Sequence, residues 1–126
     1  MPIITNIALH EAGITENGRP LVEILGKLVM LGADVVGLNC HLGPYHMIKS
    51  LKQVPLFAQS YLSVYPNASL LSFVDDNGSG QYGFSQNADY FGKSAELLVA
   101  EGARLIGGCC GTTPDHIRAV NVLLKD

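Results

Sequence analysis

Residues 102–110, GARLIGGCC, repeat the pattern of residues 32–40, GADVVGLNC, without a gap. Each copy begins at a glycine that follows a helical pattern, continues through an apolar run and ends in cysteine. A short continuous apolar run of this kind is typical of a strand buried on both faces, as in parallel sheets. The repeat therefore predicts two equivalent strands of one parallel sheet, each followed by cysteine.

The rest of the chain alternates strand and helix patterns. Apolar residues at helical spacing predict helices at residues 21–31, 45–53, 87–101 and 114–124. Apolar runs predict strands at residues 1–9, 34–38, 61–65 and 103–107. Thr113 and Pro114 fit the N-cap and the first position of the last helix. Strand-helix units in succession predict an α/β fold with a parallel sheet.

Three segments carry weaker signals. Residues 10–20 are predicted to form a loop, residues 70–85 to be irregular and polar, and residues 56–60 fit either a helix or a strand. Asp75, Asn77 and Ser79 have the spacing of calcium ligands, but Gln86 stands where a calcium loop places glutamate. We therefore favour a polar surface loop over a calcium site.

Composition limits the classes of function. The chain has 126 residues, which is one domain at most, and its hydrophobic content of 48% allows a core. A net charge of −3 gives no electrostatic case for binding nucleic acid or an anionic membrane. No apolar run is long enough to span a bilayer, and residues 1–20 lack the layout of a signal peptide. We expect a soluble, cytoplasmic protein.

The three cysteines are unsuited to a disulfide framework, because their number is odd and Cys109 adjoins Cys110. In a cytosolic protein such a set is more often metal-binding or catalytic. Two alternatives stay open, namely that Cys40 is an ordinary small buried residue and that Cys109 and Cys110 form a redox-active dithiol without a metal. The cysteine positions alone do not separate these interpretations.

Topology favours the metal site. Two strand-helix units of roughly 30 residues each separate Cys40 from Cys110, and parallel strands end on one face of the sheet. Three thiolates with one open position are a ligand set for catalytic zinc. A further thiol bound there would lose its proton and stay electron-rich, which suits it to alkyl transfer.

The four histidines are weaker candidates than the thiols. His41 and His46 lie near Cys40 and could in principle supply a fourth ligand, but we favour solvated loop and helix positions for them. His10 and His116 are interpreted as structural or surface groups.

Three motifs resemble the homocysteine S-methyltransferase family: residues 107–117 (GGCCGTTPDHI), 36–40 (VGLNC) and 66–68 (PNA). The resemblance is nearest to the bacterial domains fused to methylenetetrahydrofolate reductase, and it extends over residues 32–120. It implies a TIM (β/α)8 barrel, zinc as cofactor held by Cys40, Cys109 and Cys110, homocysteine as methyl acceptor and methionine as product. The family uses several methyl donors, and the sequence does not select one. Asn39 is a candidate for binding substrate or orienting the site, with a strand-end turn residue as the alternative.

The resemblance also implies that residues 1–126 correspond to the C-terminal half of that barrel, strands 5–8. We therefore expect a half-barrel that carries the zinc site of a homocysteine methyltransferase. Its expected partners are homocysteine, an unidentified methyl donor and either a second copy or the missing N-terminal half. The alternative is a half-barrel that binds zinc without methyltransferase activity.

Overall fold

The computed structural model describes residues 1–74 and 80–125, and within them four strands form one parallel sheet. The strands are β1 (Ile4–Ile7), β4 (Val35–Asn39), β5 (Tyr61–Tyr65) and β8 (Ala103–Ile106). Their order across the sheet is β1-β4-β5-β8, and every neighbouring pair is parallel. The α/β fold with a parallel sheet is confirmed.

Helices follow the sheet strands. They are α1 (Leu21–Met30), α2 (Pro44–Leu51), α3 (Ala88–Ala100) and α4 (Pro114–Leu124), within three residues of the predicted bounds. Gly32 and Gly102 have φ values of 96° and 105°, so the two copies of the sequence repeat begin with the same left-handed turn. Residues 56–60, which fitted helix or strand, form neither.

The core lies between the helices and one face of the sheet. Its fully buried members include Val36 and Leu38 from β4, Leu25 from α1, Met47 from α2 and Leu98 from α3. Alternation along a strand then places Gly37 and Asn39 on the opposite face. That face would point into the lumen if the sheet were part of a barrel.

Two predictions about loops were wrong. Residues 10–20 contain a hairpin of β2 (Leu9–Glu11) and β3 (Ile14–Thr15), whose turn uses Gly13 at φ 80°. The segment 70–85 contains the antiparallel strands β6 (Ser69–Val74) and β7 (Gly80–Ser85). The polar turn with Asp75, Asn77 and Ser79, including the calcium alternative, lies outside the described residues.

The parallel sheet is open. Within the described residues β1 pairs only with β4, and β8 pairs only with β5. The outer edges of β1 and β8 therefore present backbone N–H and C=O groups without ladder partners, with which a further strand could pair. No helix in the described part of the chain has the length and apolar character needed to cross a membrane.

Candidate metal centre

The carboxyl end of the sheet gathers the three thiols. The Sγ atoms of Cys40, Cys109 and Cys110 all lie within 4.8 Å of one another, and those of Cys40 and Cys110 are 3.5 Å apart. Cys40 follows β4 and the other two follow β8, so the thiols meet across the end of β5. The convergence predicted from the sequence repeat is present in the fold.

Cys40 reaches this position through a strained turn. Cys40 and His41 have φ values of 60° and 61°, a conformation that costs a non-glycine residue about 1 kcal/mol or more. The Cys40 N–H donates to the carbonyl oxygen of Tyr65 at 3.0 Å, and Leu42 N–H donates to the carbonyl of Cys40 at 2.7 Å. These bonds hold the turn so that it ends β4 with the thiol directed at its partners.

The glycines beside the cysteine pair allow close packing. A Cβ on Gly107 would lie 2.4 Å from the ring of Tyr65, and one on Gly108 would lie 2.5 Å from Thr112. Gly111 adopts φ 78°, which closes the turn after the cysteines. The three glycines therefore serve steric and conformational needs of the turn that carries Cys109 and Cys110.

Asn67 joins the two cysteine segments and was not identified from the sequence. Its side chain is buried, with 3% exposure. Its Oδ1 accepts from the Cys110 N–H at 3.1 Å, and its own N–H donates to the carbonyl of Leu42 at 2.9 Å, in the turn that follows Cys40. The signal was present, because Asn67 belongs to the PNA motif that contributed to the family resemblance.

His116 stabilises the segment between the cysteine pair and α4, which agrees with its interpretation as a structural group. It is 6% exposed and packs edge-on against Phe91. Its Nδ1 accepts from the Thr113 N–H at 3.1 Å, which leaves Nε2 to donate to the carbonyl of Gln86 at 2.5 Å. Gln86 N–H in turn donates to the carbonyl of Ala68 at 2.8 Å. The start of α4 is thus tied to the end of β5.

The thiols of Cys40 and Cys109 differ in how readily they lose a proton. Burial acts to raise the pKa of Cys40, but hydrogen bonds to its sulfur outweigh this effect and the pKa lies below its ordinary value. The donors are Cys109, the His41 N–H, Cys110 and Asn67. Burial raises the pKa of Cys109 to about 11, and its hydrogen bond to Cys40 and the charge of Cys40 add to the rise. Cys40 is therefore the first of this pair to ionise.

The donor set fits zinc. Sulfur ligands at about 2.3 Å around a tetrahedral ion lie roughly 3.8 Å from one another. The 3.5 Å between Cys40 and Cys110 is close to that value and well beyond a disulfide bond of about 2.05 Å. Little movement is needed for the three sulfur atoms to share one ion.

The other predicted candidates lie outside this thiol cluster. Within the described residues, only the three cysteines form a group with metal-binding spacing. His41 is exposed and lies 3.5 Å from a carboxylate oxygen of Glu16, and His46 is an exposed residue of α2 in edge contact with Tyr45. Asn39 is half-buried at the end of β4, level with Tyr65 in the register.

A cavity lies beside His41, the residue that follows Cys40. It has a volume of about 380 Å³, and its wall includes Ile7 at the end of β1, Arg19 and His41. His41 directly follows Cys40 in the chain, so the cavity opens on the same end of the sheet as the thiols. The thiols themselves do not line it.

Comparisons with known proteins give matches over nearly the whole chain. Residues 1–124 match the family described as homocysteine S-methyltransferase. The methionine synthases of Mycobacterium leprae and Mycobacterium tuberculosis are 34% and 33% identical to the chain over 121 residues, which are 95% of it. The chain spans only 10% of the length of these relatives.

Solved structures give the same relationship. The homocysteine methyltransferase MmuM from Escherichia coli, in its oxidized form, is similar over 90% of the chain, with 26% identity and a TM-score of 0.64. Its apo form is similar over 97% of the chain, with 27% identity and a TM-score of 0.65. The chain covers 33% and 39% of those two structures.

Proposed function

The chain belongs to the homocysteine S-methyltransferase family, and from that premise we propose that it carries the zinc-binding part of an enzyme that methylates homocysteine to methionine. The observation that supports this most directly is the cluster of three thiols within 4.8 Å at the carboxyl end of a parallel sheet. Active sites of parallel α/β barrels are built at that end of the strands.

Cys40, Cys109 and Cys110 would hold the metal ion. When bound, zinc supplies a Lewis acid that favours the deprotonated, nucleophilic form of a thiol at neutral pH. The three cysteine thiolates would give the centre a surplus of negative charge, which would leave a substrate thiol held beside them electron-rich and suited to accept a methyl group. Free thiols of this kind require a reducing compartment, and we place the reaction in the cytoplasm.

The protein side of the reaction is to position the substrate. Asn39 lies on the sheet face away from the helices, one residue before Cys40 and beside Tyr65 in the register. In this proposal its amide faces the lumen and hydrogen-bonds the substrate near the reacting sulfur. The left-handed turn at Cys40 and His41 keeps that amide and the thiol in a fixed relation.

We further propose that residues 1–126 act as the C-terminal half of a barrel domain. The exposed edges of β1 and β8 are where further parallel strands would pair. A separate N-terminal half or a second copy of the chain would close the sheet and supply the remaining contacts to homocysteine.

Zinc content and methionine formation test the proposal together. We expect one zinc per chain, and loss of zinc in Cys110→Ala but not in His46→Ala, an exposed position outside the cluster. Methionine formation is then assayed with betaine, S-methylmethionine, S-adenosylmethionine and methylcobalamin, with and without an added N-terminal half-barrel of a family member. Protein that holds no zinc after expression in zinc-supplemented medium would contradict the proposal.

A second candidate function is a half-barrel that binds zinc without catalysis. The open sheet favours it, because within the described residues no strand pairs with the outer edge of β1 or of β8 to close a barrel. It predicts full zinc binding with no turnover under any of the conditions above. Native mass spectrometry gives a quick indication, since a stable zinc-loaded monomer would favour this candidate over the enzyme.

A further inference from the structure

One row of residues crosses three strands of the sheet on the face that points away from the helices. Asn6 in β1 is level with Gly37 in β4, and Gly37 is level with Ser63 in β5. Residues at one level of a parallel sheet share a face, and Gly37 lies opposite the core residues of β4. The row therefore belongs to the face that would line the lumen of a barrel.

The missing side chain at Gly37 allows the two outer members of the row to meet. The Ser63 hydroxyl donates to Oδ1 of Asn6 at 2.5 Å, although β4 lies between their strands. A Cβ at Gly37 would collide with that hydroxyl and with the Ser63 carbonyl oxygen. Gly37 thus leaves the space through which the hydrogen bond passes.

This hydrogen bond decides which end of the Asn6 amide is available to a ligand. The oxygen is occupied by the Ser63 hydroxyl, and Ser63 is fully buried, so water does not compete for that bond. The nitrogen has no hydrogen-bond partner among the described residues. Asn6 is half-buried, and within the described part of the chain only Gln86 has a buried side-chain atom without a partner. The Asn6 nitrogen is therefore accessible, with two N–H groups to donate.

Asn6 lies at a depth that a small amino acid can reach from the thiols. Gly37, which marks the level of Asn6, precedes Cys40 by three residues, or about 10 Å along the strand. An extended homocysteine measures roughly 6 Å from its sulfur to its carboxylate, and a hydrogen bond adds about 2.9 Å. A substrate whose sulfur lies at the thiol cluster and whose chain passes Asn39 would therefore bring its other end to Asn6.

The chemistry of a side-chain N–H2 group identifies which end of the substrate it binds. Homocysteine carries a thiol, an ammonium group and a carboxylate. The thiol belongs at the cysteine cluster, and the ammonium group can only donate, so the carboxylate is the acceptor that remains. Hydrogen bonds to a charged acceptor are among the strong ones, and the bond from Ser63 to Oδ1 polarises the amide and strengthens its N–H donors.

We propose that Asn6 binds the carboxylate of homocysteine through its side-chain N–H2 group, with Ser63 as the positioning residue that turns this group toward the lumen. The inference rests on the proposed function, because it takes homocysteine as the substrate. It assigns to this chain one of the contacts that hold the amino-acid end of the substrate.

The first test compares two ligands that differ only in the carboxylate. They are homocysteine and 3-aminopropane-1-thiol, and calorimetry measures their affinity for zinc-loaded protein. Asn6→Asp keeps the acceptor for Ser63 but replaces the donor with a negatively charged oxygen, and Asn6→Ala removes the donor without adding charge. We expect homocysteine affinity to fall about 10–100-fold in both variants, while affinity for 3-aminopropane-1-thiol does not fall.

Asn121→Asp and Asn121→Ala are matched controls at an exposed position of α4 and should change neither affinity. Circular dichroism shows whether each variant is folded. Equal losses for the two ligands in a folded Asn6 variant would show a structural role only and would overturn the proposal, as would wild-type affinity for homocysteine.

A second test depends neither on zinc nor on a folded variant. Metal-free wild-type protein labelled with ¹⁵N is titrated to tens of millimolar with norvaline, which has a methyl group in place of the thiol, or with butylamine, which also lacks the carboxylate. We expect the side-chain N–H2 signals of Asn6 to shift with norvaline and not with butylamine, and those of Asn121 to shift with neither. The absence of a selective shift would refute the proposal. If the chain binds no zinc, the proposed function fails while this titration still decides the role of Asn6.

Discussion

The Sγ atom of Cys40 lies 3.5 Å from that of Cys110, although the residues are separated by 70 positions in the chain. Like the pair of Cys40 and Cys109, this pair joins the ends of two different strands, β4 and β8. The short distance between these two thiols has a chemical consequence that does not apply to Cys109 and Cys110, which are neighbours in sequence.

Oxidation of the metal-free protein should join Cys40 to Cys110. Adjacent cysteines pair poorly on geometric grounds, whereas these two need only a small approach to reach bonding distance. Mild oxidation with diamide followed by peptide mass spectrometry identifies the pair. Zinc-loaded protein serves as the control and should resist oxidation. A Cys109–Cys110 bond as the main product would instead favour the redox-active dithiol that the sequence left open.

Alkylation of the metal-free protein should show an order among the thiols. The pKa of Cys40 lies below its ordinary value and that of Cys109 is about 11, so more of Cys40 is thiolate at pH 8. We expect iodoacetamide to modify Cys40 roughly 100-fold faster than Cys109 at that pH, with the gap closing as the pH nears 11.

The same experiment in Cys40→Ser protein tests the cause. Two of the effects that raise the pKa of Cys109 come from Cys40, while burial remains. Cys109 should therefore react faster in this variant, though more slowly than a free thiol. Modification of Cys109 ahead of Cys40 in the wild type would contradict the assigned proton arrangement.

Gly37→Ala should destabilise the sheet beneath the site. A Cβ there would lie 1.9 Å from the carbonyl oxygen of Ser63, which belongs to the neighbouring strand β5. We expect a loss of about 3 kcal/mol in the free energy of unfolding, measured with urea, because backbone atoms must move apart.

A matched glycine in a helix should respond in the opposite sense. Gly26 in α1 has open space around the position that a Cβ would take, with nothing within 4 Å of it, so Gly26→Ala should add about 0.5–1 kcal/mol. If both variants unfold at the same urea concentration as the wild type, β4 and β5 do not approach each other as closely at Gly37 and Ser63 as described here.

His116→Leu should weaken both the fold and the thiol cluster. It removes the donor to the part-buried carbonyl of Gln86 and should cost about 2 kcal/mol. Since that carbonyl belongs to the chain of bonds reaching Ala68, zinc affinity should fall as well. His10→Leu, at an exposed position, provides the control and should change neither quantity.

The sheet strands and helices were predictable because their signals are local. Apolar runs and helical spacing marked them, and Gly32 and Gly102 marked equivalent turns. The antiparallel pairs β2 with β3 and β6 with β7 were not predicted, since these short strands lie outside the parallel sheet and each depends on pairing with the other. The thiol cluster followed from the repeat and the rule that parallel strands end on one face.

The role of Asn67 could not be predicted in the same way. Its hydrogen bonds to the Cys110 N–H and to the Leu42 carbonyl depend on β5 lying between β4 and β8, and strand order is a property of the whole sheet. The sequence repeat links Cys40 to Cys110 but contains no information about the residue between them. Only the three-dimensional neighbours of the amide reveal why that position carries asparagine.

The placement of β5 between the cysteine-bearing strands also orders events in time. Cys109 and Cys110 are neighbours in the unfolded chain, but Cys40 reaches them only after β4 and β8 have docked on either side of β5. Contacts between residues so distant in sequence form slowly, because the loop must close first. Complete binding by all three thiols therefore reports a finished sheet, and its rate during refolding would measure the assembly of the middle strand.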